Sequence, residues 1–382
     1  MIKNHKGIIV LFLCFTLILN GCWDYRDINS RNIIISLGID KEKDNVIFAG
    51  EIVKSNYEAA KGEEGGNKGT SIYCYEAKGA NFEEARWDYD RQTPFQEFFG
   101  GIRSVVYSEE YARKEGIQTY LNRFNLSYDY RKSILMAVSE ERCSDLFKKK
   151  LKNDISVGVS IDDTMLYLKE DGKALYITVG DVLTNLSLTT IGSLLPYIKI
   201  IDGSVNFIGY GIFNEEGRMV GTILGKDNIG LLYLLGKDPS IRTVMPRPGN
   251  PENQISYEVG IKKRKIKTRY ENGTPIIDID LKLVSSIKYQ YYREELDVKM
   301  LDRIRQHMEL DAKYEIEKVL KKSQEEYRID FLNFGKYFKG QNYNIYKNID
   351  WKKEYPKAKI NVNVKMKIND INLKDPNSKV KN

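Results

Sequence analysis

Cys22 is the residue in this chain best placed for chemistry. It closes the stretch Leu19-Asn20-Gly21-Cys22, behind Lys3, Lys6 and an uninterrupted apolar run from Ile8 to Leu19. A basic start, a short apolar core and a small residue beside the scissile bond make a secretory leader. The run is too short to cross a bilayer stably, which takes about 20 apolar residues. A cysteine at the new N-terminus accepts diacylglycerol on its thiol, and two acyl chains give the lasting attachment that one does not. The expected product is an exported chain, lipidated at Cys22 and otherwise aqueous.

The remaining reactive residue types exclude more than they offer. His5 leaves with the leader, so His307 is the sole imidazole beyond it, and multi-histidine metal sites are ruled out. No metal and no cofactor is expected. His307 falls in a helical pattern between Gln306 and Met308, the setting of a surface or packed side chain rather than of a Ser-His or Cys-His site. Adjacent acids at Glu63-Glu64 and Asp162-Asp163 have the residue type for glycoside hydrolysis, but both sit beside turn-like sequence, where solvated acids are the rule. Gly209-Tyr210-Gly211 is half of a phosphate-loop pattern, placed in a strand with no helix N-terminus to hold an anion.

Charge and cysteine usage narrow the partners. The formal net charge of +7 falls by two when Lys3 and Lys6 leave, and the mild excess suits anionic lipid or wall polymer rather than nucleic acid. The most basic run, Lys262 to Arg269, divides its charges between two faces if it is a strand, and reads as a solvated edge defended by lysine. Cys74 and Cys143 are enough for one bridge or two free thiols, and their spacing does not decide between them.

These residues are carried by alternating elements. Asn32–Asp40 and Val46–Val53 read as a hairpin, 62–69 as a loop, and Asn81 as the N-cap of a helix over Phe82–Tyr89. A strand over Arg103–Tyr107, a helix over Glu109–Phe124 and a strand over Ser133–Val138 follow. Pro196 is expected to end whatever precedes it. From Val205 the strands lengthen: Val205–Phe213 with Arg218–Leu224, then, after a loop over Pro246–Pro251, Ile255–Tyr270 with Thr274–Ser285 across Asn272-Gly273. Leu301, Ile304, Met308, Ala312, Ile316, Val319 and Leu320 recur at helical spacing within a long helix over 297–327, and Ala358–Ile368 alternates as a last strand. The expected fold is α+β and multidomain, with mixed and antiparallel sheets packed with helices and one long helix in the C-terminal domain. The leader is 1–21, an N-terminal α/β domain 22–202 (divisible near 150), a C-terminal α+β domain 203–373, and a loose tail 374–382.

Taken together, these stretches resemble the Ger(x)C family, the C-subunit lipoproteins of nutrient germinant receptors in endospore-forming bacteria. The resemblance is carried by Gly21-Cys22-Trp23-Asp24-Tyr25-Arg26-Asp27, Leu37-Gly38-Ile39-Asp40, Gly209-Tyr210-Gly211-Ile212-Phe213, Met219-Val220-Gly221, Asp330-Phe331-Leu332-Asn333-Phe334-Gly335 and Trp351-Lys352-Lys353-Glu354-Tyr355-Pro356. Family members commonly carry Glu where Asp27 stands, which keeps the charge. The resemblance implies a non-enzymatic lipoprotein on the outer face of the spore inner membrane, working with integral-membrane A and B subunits. Trp23, Asp24, Arg26 and Asp27, beside the lipid, suit contact with membrane or partner, since Trp favours the interface and Arg meets phosphate; a strand-capping ion pair explains them equally well. Two rival functions remain open on sequence: a lipoprotein that captures a small nutrient in a cleft between domains, and an exported cell-wall hydrolase that uses carboxylates.

Overall fold

A computed structural model describes residues 31–54, 71–93, 95–126 and 129–371. Cys22, Trp23, Asp24, Arg26, Asp27, the 62–69 loop with Glu63-Glu64, and the tail lie outside them.

Strand β1 (Arg31–Glu42) returns into β2 (Asn45–Lys54), the expected hairpin, and β3 (Ser71–Gly79) adds outside it. On its other side β1 runs parallel to the short β4 (Gln96–Phe98) and to β5 (Ser104–Ser108); β6 (Leu135–Ser139) and β7 (Ser193–Ile201) continue in parallel. Antiparallel β8 (Ser204–Phe213) and β9 (Met219–Leu224) complete the sheet. Strands β5 and β6 are buried throughout, which is why their sequences run apolar without alternation. Val105, Tyr107, Met136 and Val138 join one core, and Val106, Leu135 and Ala137 another. Helices α1 (Phe82–Gln92), α2 (Glu109–Lys114) and α3 (Gln118–Leu126) pack on the first face, while α4 (Cys143–Phe147) and α5 (Val157–Glu170) pack on the second; α6 (Val179–Leu186) returns to the first.

Local chemistry sets the ends of several elements. Asn81 caps α1 as expected, its side chain accepting from the Glu83 and Glu84 amides at 3.0 Å. The single helix expected over 109–124 is instead two, broken at Gly116. That residue has φ +79°, and a Cβ there would come within 2.9 Å of the Gly217 carbonyl, so the chain turns against the β8–β9 hairpin. Pro196 does not end its element: it lies inside β7, where the ladder to β6 is confined to Tyr197 and Ile198 and makes no use of a donor at 196. The buried Glu51 ties β2 to α5, accepting from the Val157 and Gly158 amides and from the Ser36 and Ser156 hydroxyls.

The second sheet has the order β10 (Ile241–Arg247), β11 (Asn250–Glu271), β12 (Thr274–Gln290), β13 (Lys359–Ile371), with β13 parallel to β12 and the others antiparallel. Asn272 and Gly273 both have positive φ, the type I′ geometry that closes the expected hairpin. The loop expected over 246–251 shrinks to Pro248-Gly249, because β10 is an edge strand and tolerates Pro246 at its bulge. Helix α7 (Ile229–Leu235) leads into this sheet, and α8 (Val298–Lys321) crosses it, burying Ile304, Met308, Ala312, Ile316 and Val319. Asp297 caps α8, and a π-helical turn over Lys322–Glu326 extends it. Helix α9 (Phe334–Gln341) covers the free half of β11. There the Gln341 amide stands in for a strand, accepting from Thr268 N and donating to Ile266 O.

One apolar core joins the two sheets: Leu194, Tyr210, Ile212 and Ile223 of the first, with Ile191 just before it, belong to the cluster built around α7, α8, Phe331 and Trp351. The line at 202/203 falls in the β7–β8 turn, where Asp202 and Gly203 have positive φ, and the first sheet runs across it to β9.

Candidate functional site

Two places set buried polar groups beside a cleft or cavity. The first is a knot at the domain seam, built on the Asp330–Gly335 stretch. Asp330 is buried, and its carboxylate accepts from Phe334 N (3.0 Å), Gly335 N (2.6 Å) and Trp351 Nε1 (3.0 Å). Asn333 takes the left-handed conformation at φ 65° to start α9, and a Cβ on Gly335 would lie 2.8 Å from Trp351 Nε1 and 2.7 Å from Ile191 Cγ2. The glycine therefore admits the indole, and the indole completes the carboxylate's shell. Burial pushes the Asp330 carboxyl up to about 6, against the pull of its amide and indole donors. From the other domain, Gly192 N donates to the Asp330 carbonyl, Thr190 Oγ1 meets the Tyr346 hydroxyl, and Asn185 Oδ1 accepts from Lys336 Nζ. A cleft of about 600 Å³ opens beside this seam, bounded by Leu175, Asp181, Leu232, Phe331 and Lys336.

The second place is a cavity of about 520 Å³ inside the N-terminal domain, between the sheet and helices α1 and α3. Phe48, Tyr75, Tyr89, Phe99, Tyr120 and Tyr130 give it aromatic walls, with Tyr75 edge-on to Tyr89 at 5.1 Å between ring centres. Glu97 from β4 projects into it, with Arg86 Nη2 at 3.5 Å. Sequence reasoning missed this site, because its residues come from strands and helices scattered between 34 and 130. The signal available was composition: 26 tyrosines and 14 phenylalanines.

The residues singled out for catalysis do not assemble. His307 is exposed on α8. Asp162 is not a solvated turn acid; it is buried in α5, paired with Arg103 Nε at 2.5 Å and accepting from the Tyr176 hydroxyl, while Asp163 meets the same guanidinium from outside. Cys74 and Cys143 are both free thiols; Cys143 is buried under β1, where its Sγ donates toward Val106 O. In the basic run, Arg264 donates to the carbonyls of Tyr233 and Gly236 at the end of α7, and Arg269 pairs with Glu271 and Asp278, while Lys262, Lys263, Lys265 and Lys267 are exposed. Gly209 in β8 has φ 148°, and a Cβ there would strike the Ile223 carbonyl at 2.1 Å, so this glycine serves strand packing. Among the described residues no group of His, Cys, Asp and Glu is arranged to hold a metal ion, and no helix is long and apolar enough to cross a membrane.

Comparison with known proteins matches this architecture. Residues 24–200 match the family model described as the spore germination protein N-terminal domain, and residues 208–372 the model described as spore germination B3/GerAC like, C-terminal. Spore germination protein KC of Bacillus subtilis (strain 168) is 23% identical over 351 residues, covering 85% of each chain. Spore germination protein B3 of the same organism is 23% identical over 339 residues, covering 86% of this chain and 87% of its own. The crystal structure of the GerBC protein superimposes with a TM-score of 0.52 at 18% identity, over 87% of this chain and 96% of that one, and so shares the fold. With both models matched in order along nearly its whole length, the chain belongs to the Ger(x)C family of spore germination proteins.

Proposed function

We propose that the chain is the lipid-anchored subunit of a spore nutrient germinant receptor, working by protein contact with integral-membrane A and B subunits on the outer face of the spore inner membrane. The observation that carries this reading is the pair of family matches, N-terminal domain then C-terminal domain, following directly on Gly21-Cys22. Geometry supplies the mechanism. Eight residues lie between Cys22 and Arg31, where β1 begins, and the connection spans at most about 30 Å. Lipid at Cys22 therefore holds the first domain within reach of loops exposed by membrane partners, and raises its effective concentration there. The shared core and the Asp330 knot couple that domain to the second, so a contact made by one is felt by the other. Chemistry at a carboxylate pair is not part of this account, since Asp162 is spent on Arg103 and Tyr176.

Spores lacking the chain are expected to lose their response to at least one nutrient by tenfold or more, with recovery when the gene is restored. Unchanged germination across a panel of amino acids and sugars would count against the proposal.

A further inference from the structure

The aromatic cavity of the N-terminal domain has two features that packing alone leaves unexplained. Glu97 Oε2 and the Tyr89 hydroxyl line the same space, are more than nine-tenths buried, and make no hydrogen bond of ordinary geometry; Arg86 Nη2 approaches Glu97 Oε2 only to 3.5 Å. A buried polar atom short of hydrogen bonds is destabilising, and two of them facing one cavity mark a place where a ligand supplies further donors. The space, about 520 Å³, lies in the range of small-molecule sites, and its walls are predominantly aromatic.

The chemistry narrows the ligand. A carboxylate oxygen only accepts, a phenol accepts as readily as it donates, and an ammonium carries three donors and no acceptor. Aromatic faces add attraction for a cation, and beside Glu97 an anion is repelled, the Arg86 and Arg123 guanidinium groups lining other parts of the wall. Burial pushes the Glu97 carboxyl up, with Arg86 opposing, as for an acid lacking its full complement of donors. We propose that this cavity binds a small molecule carrying a protonated primary amine on an apolar or aromatic body, its ammonium between Glu97 and Tyr89. Two sources share that chemistry: a simple amine, and an amino-acid zwitterion whose own carboxylate would meet Arg86. The inference stands apart from the receptor assignment, because it concerns binding by the isolated protein.

Calorimetry on the purified full-length chain tests it with phenethylamine, L-phenylalanine, phenethyl alcohol and 3-phenylpropionate. At least one of the two amines is expected to bind one-to-one, at least tenfold more tightly than the alcohol or the acid. Tighter binding of phenylalanine than of phenethylamine assigns the zwitterion; the reverse assigns the simple amine. Glu97→Gln should weaken binding at least tenfold, and Tyr89→Phe, which removes only a hydroxyl, several-fold. Circular dichroism checks that each variant is folded; should Glu97→Gln fail to fold, Tyr89→Phe and the amine-to-alcohol ratio decide. No binding of either amine, equal binding of the alcohol, or undiminished affinity in the folded variants would overturn the proposal.

Discussion

Replacing Asp330 with alanine is expected to lower the unfolding free energy by at least about 3 kcal/mol. Three buried donors lose their acceptor at once: Phe334 N, Gly335 N and Trp351 Nε1. Each orphaned donor costs about 1–3 kcal/mol, and the losses are coupled because the donors share one carboxylate. Against this stands the relief of removing a buried charge, and pH separates the two terms. The Asp330 carboxyl titrates near 6 in the folded protein, above the ordinary 3.8. A raised acid contributes stability that is fully present below the unfolded value and is lost as pH rises through the folded one. The alanine variant has no such term. Its penalty should therefore be larger at pH 4.5 than at pH 7.5, by about 2 kcal/mol. Denaturant unfolding of both proteins at the two pH values measures this, and a penalty that grows toward pH 7.5 would show that the hydrogen bonds, not burial, govern this carboxyl.

Cys22→Ala is expected to abolish acylation and to cut the membrane-retained fraction at least tenfold. Each buried methylene of an acyl chain contributes about 0.8 kcal/mol to membrane binding, so losing two chains removes far more than any surface contact restores. If the leader stays uncleaved, its apolar run of Ile8 to Leu19 falls short of the roughly 20 residues that span a bilayer and replaces the lipid poorly. Intact-mass measurement of the membrane and soluble fractions reads both effects. An unmodified Cys22 in the native protein, or equal retention of the alanine variant, would remove the anchor from the account.

Features set by neighbours in sequence were legible before the structure. Asn81 announces its helix because its side chain caps the amides two and three residues on, and Asn272-Gly273 announces a hairpin because few residue pairs accept two positive φ angles in a row. The seven apolar residues from Leu301 to Leu320 announce α8 because one side of that helix faces the core. What failed to show is set by distant parts of the chain. Gly116 breaks a helix on account of Gly217, and Pro196 sits in a strand because β6 is short beside it. Asp162, read as a solvated acid, is buried because Arg103 and Tyr176 come to it from other elements. Glu97 is an ordinary acid in sequence and becomes notable only where six aromatic rings close around it. The Asp330–Gly335 motif was visible as a family likeness, but its physical reason, an indole seated on a glycine and bonded to a buried carboxylate, required Trp351 to be placed.

The proposed receptor subunit is tethered and works by contact with membrane-embedded partners. Covalent cross-linking in intact spore membranes, followed by affinity capture of this chain and mass spectrometry, tests that most directly. Two integral-membrane receptor subunits are expected to be recovered with it, and Cys22→Ala to deplete both. Recovery of the wild-type chain alone, or its presence free in the soluble fraction, would contradict the proposal.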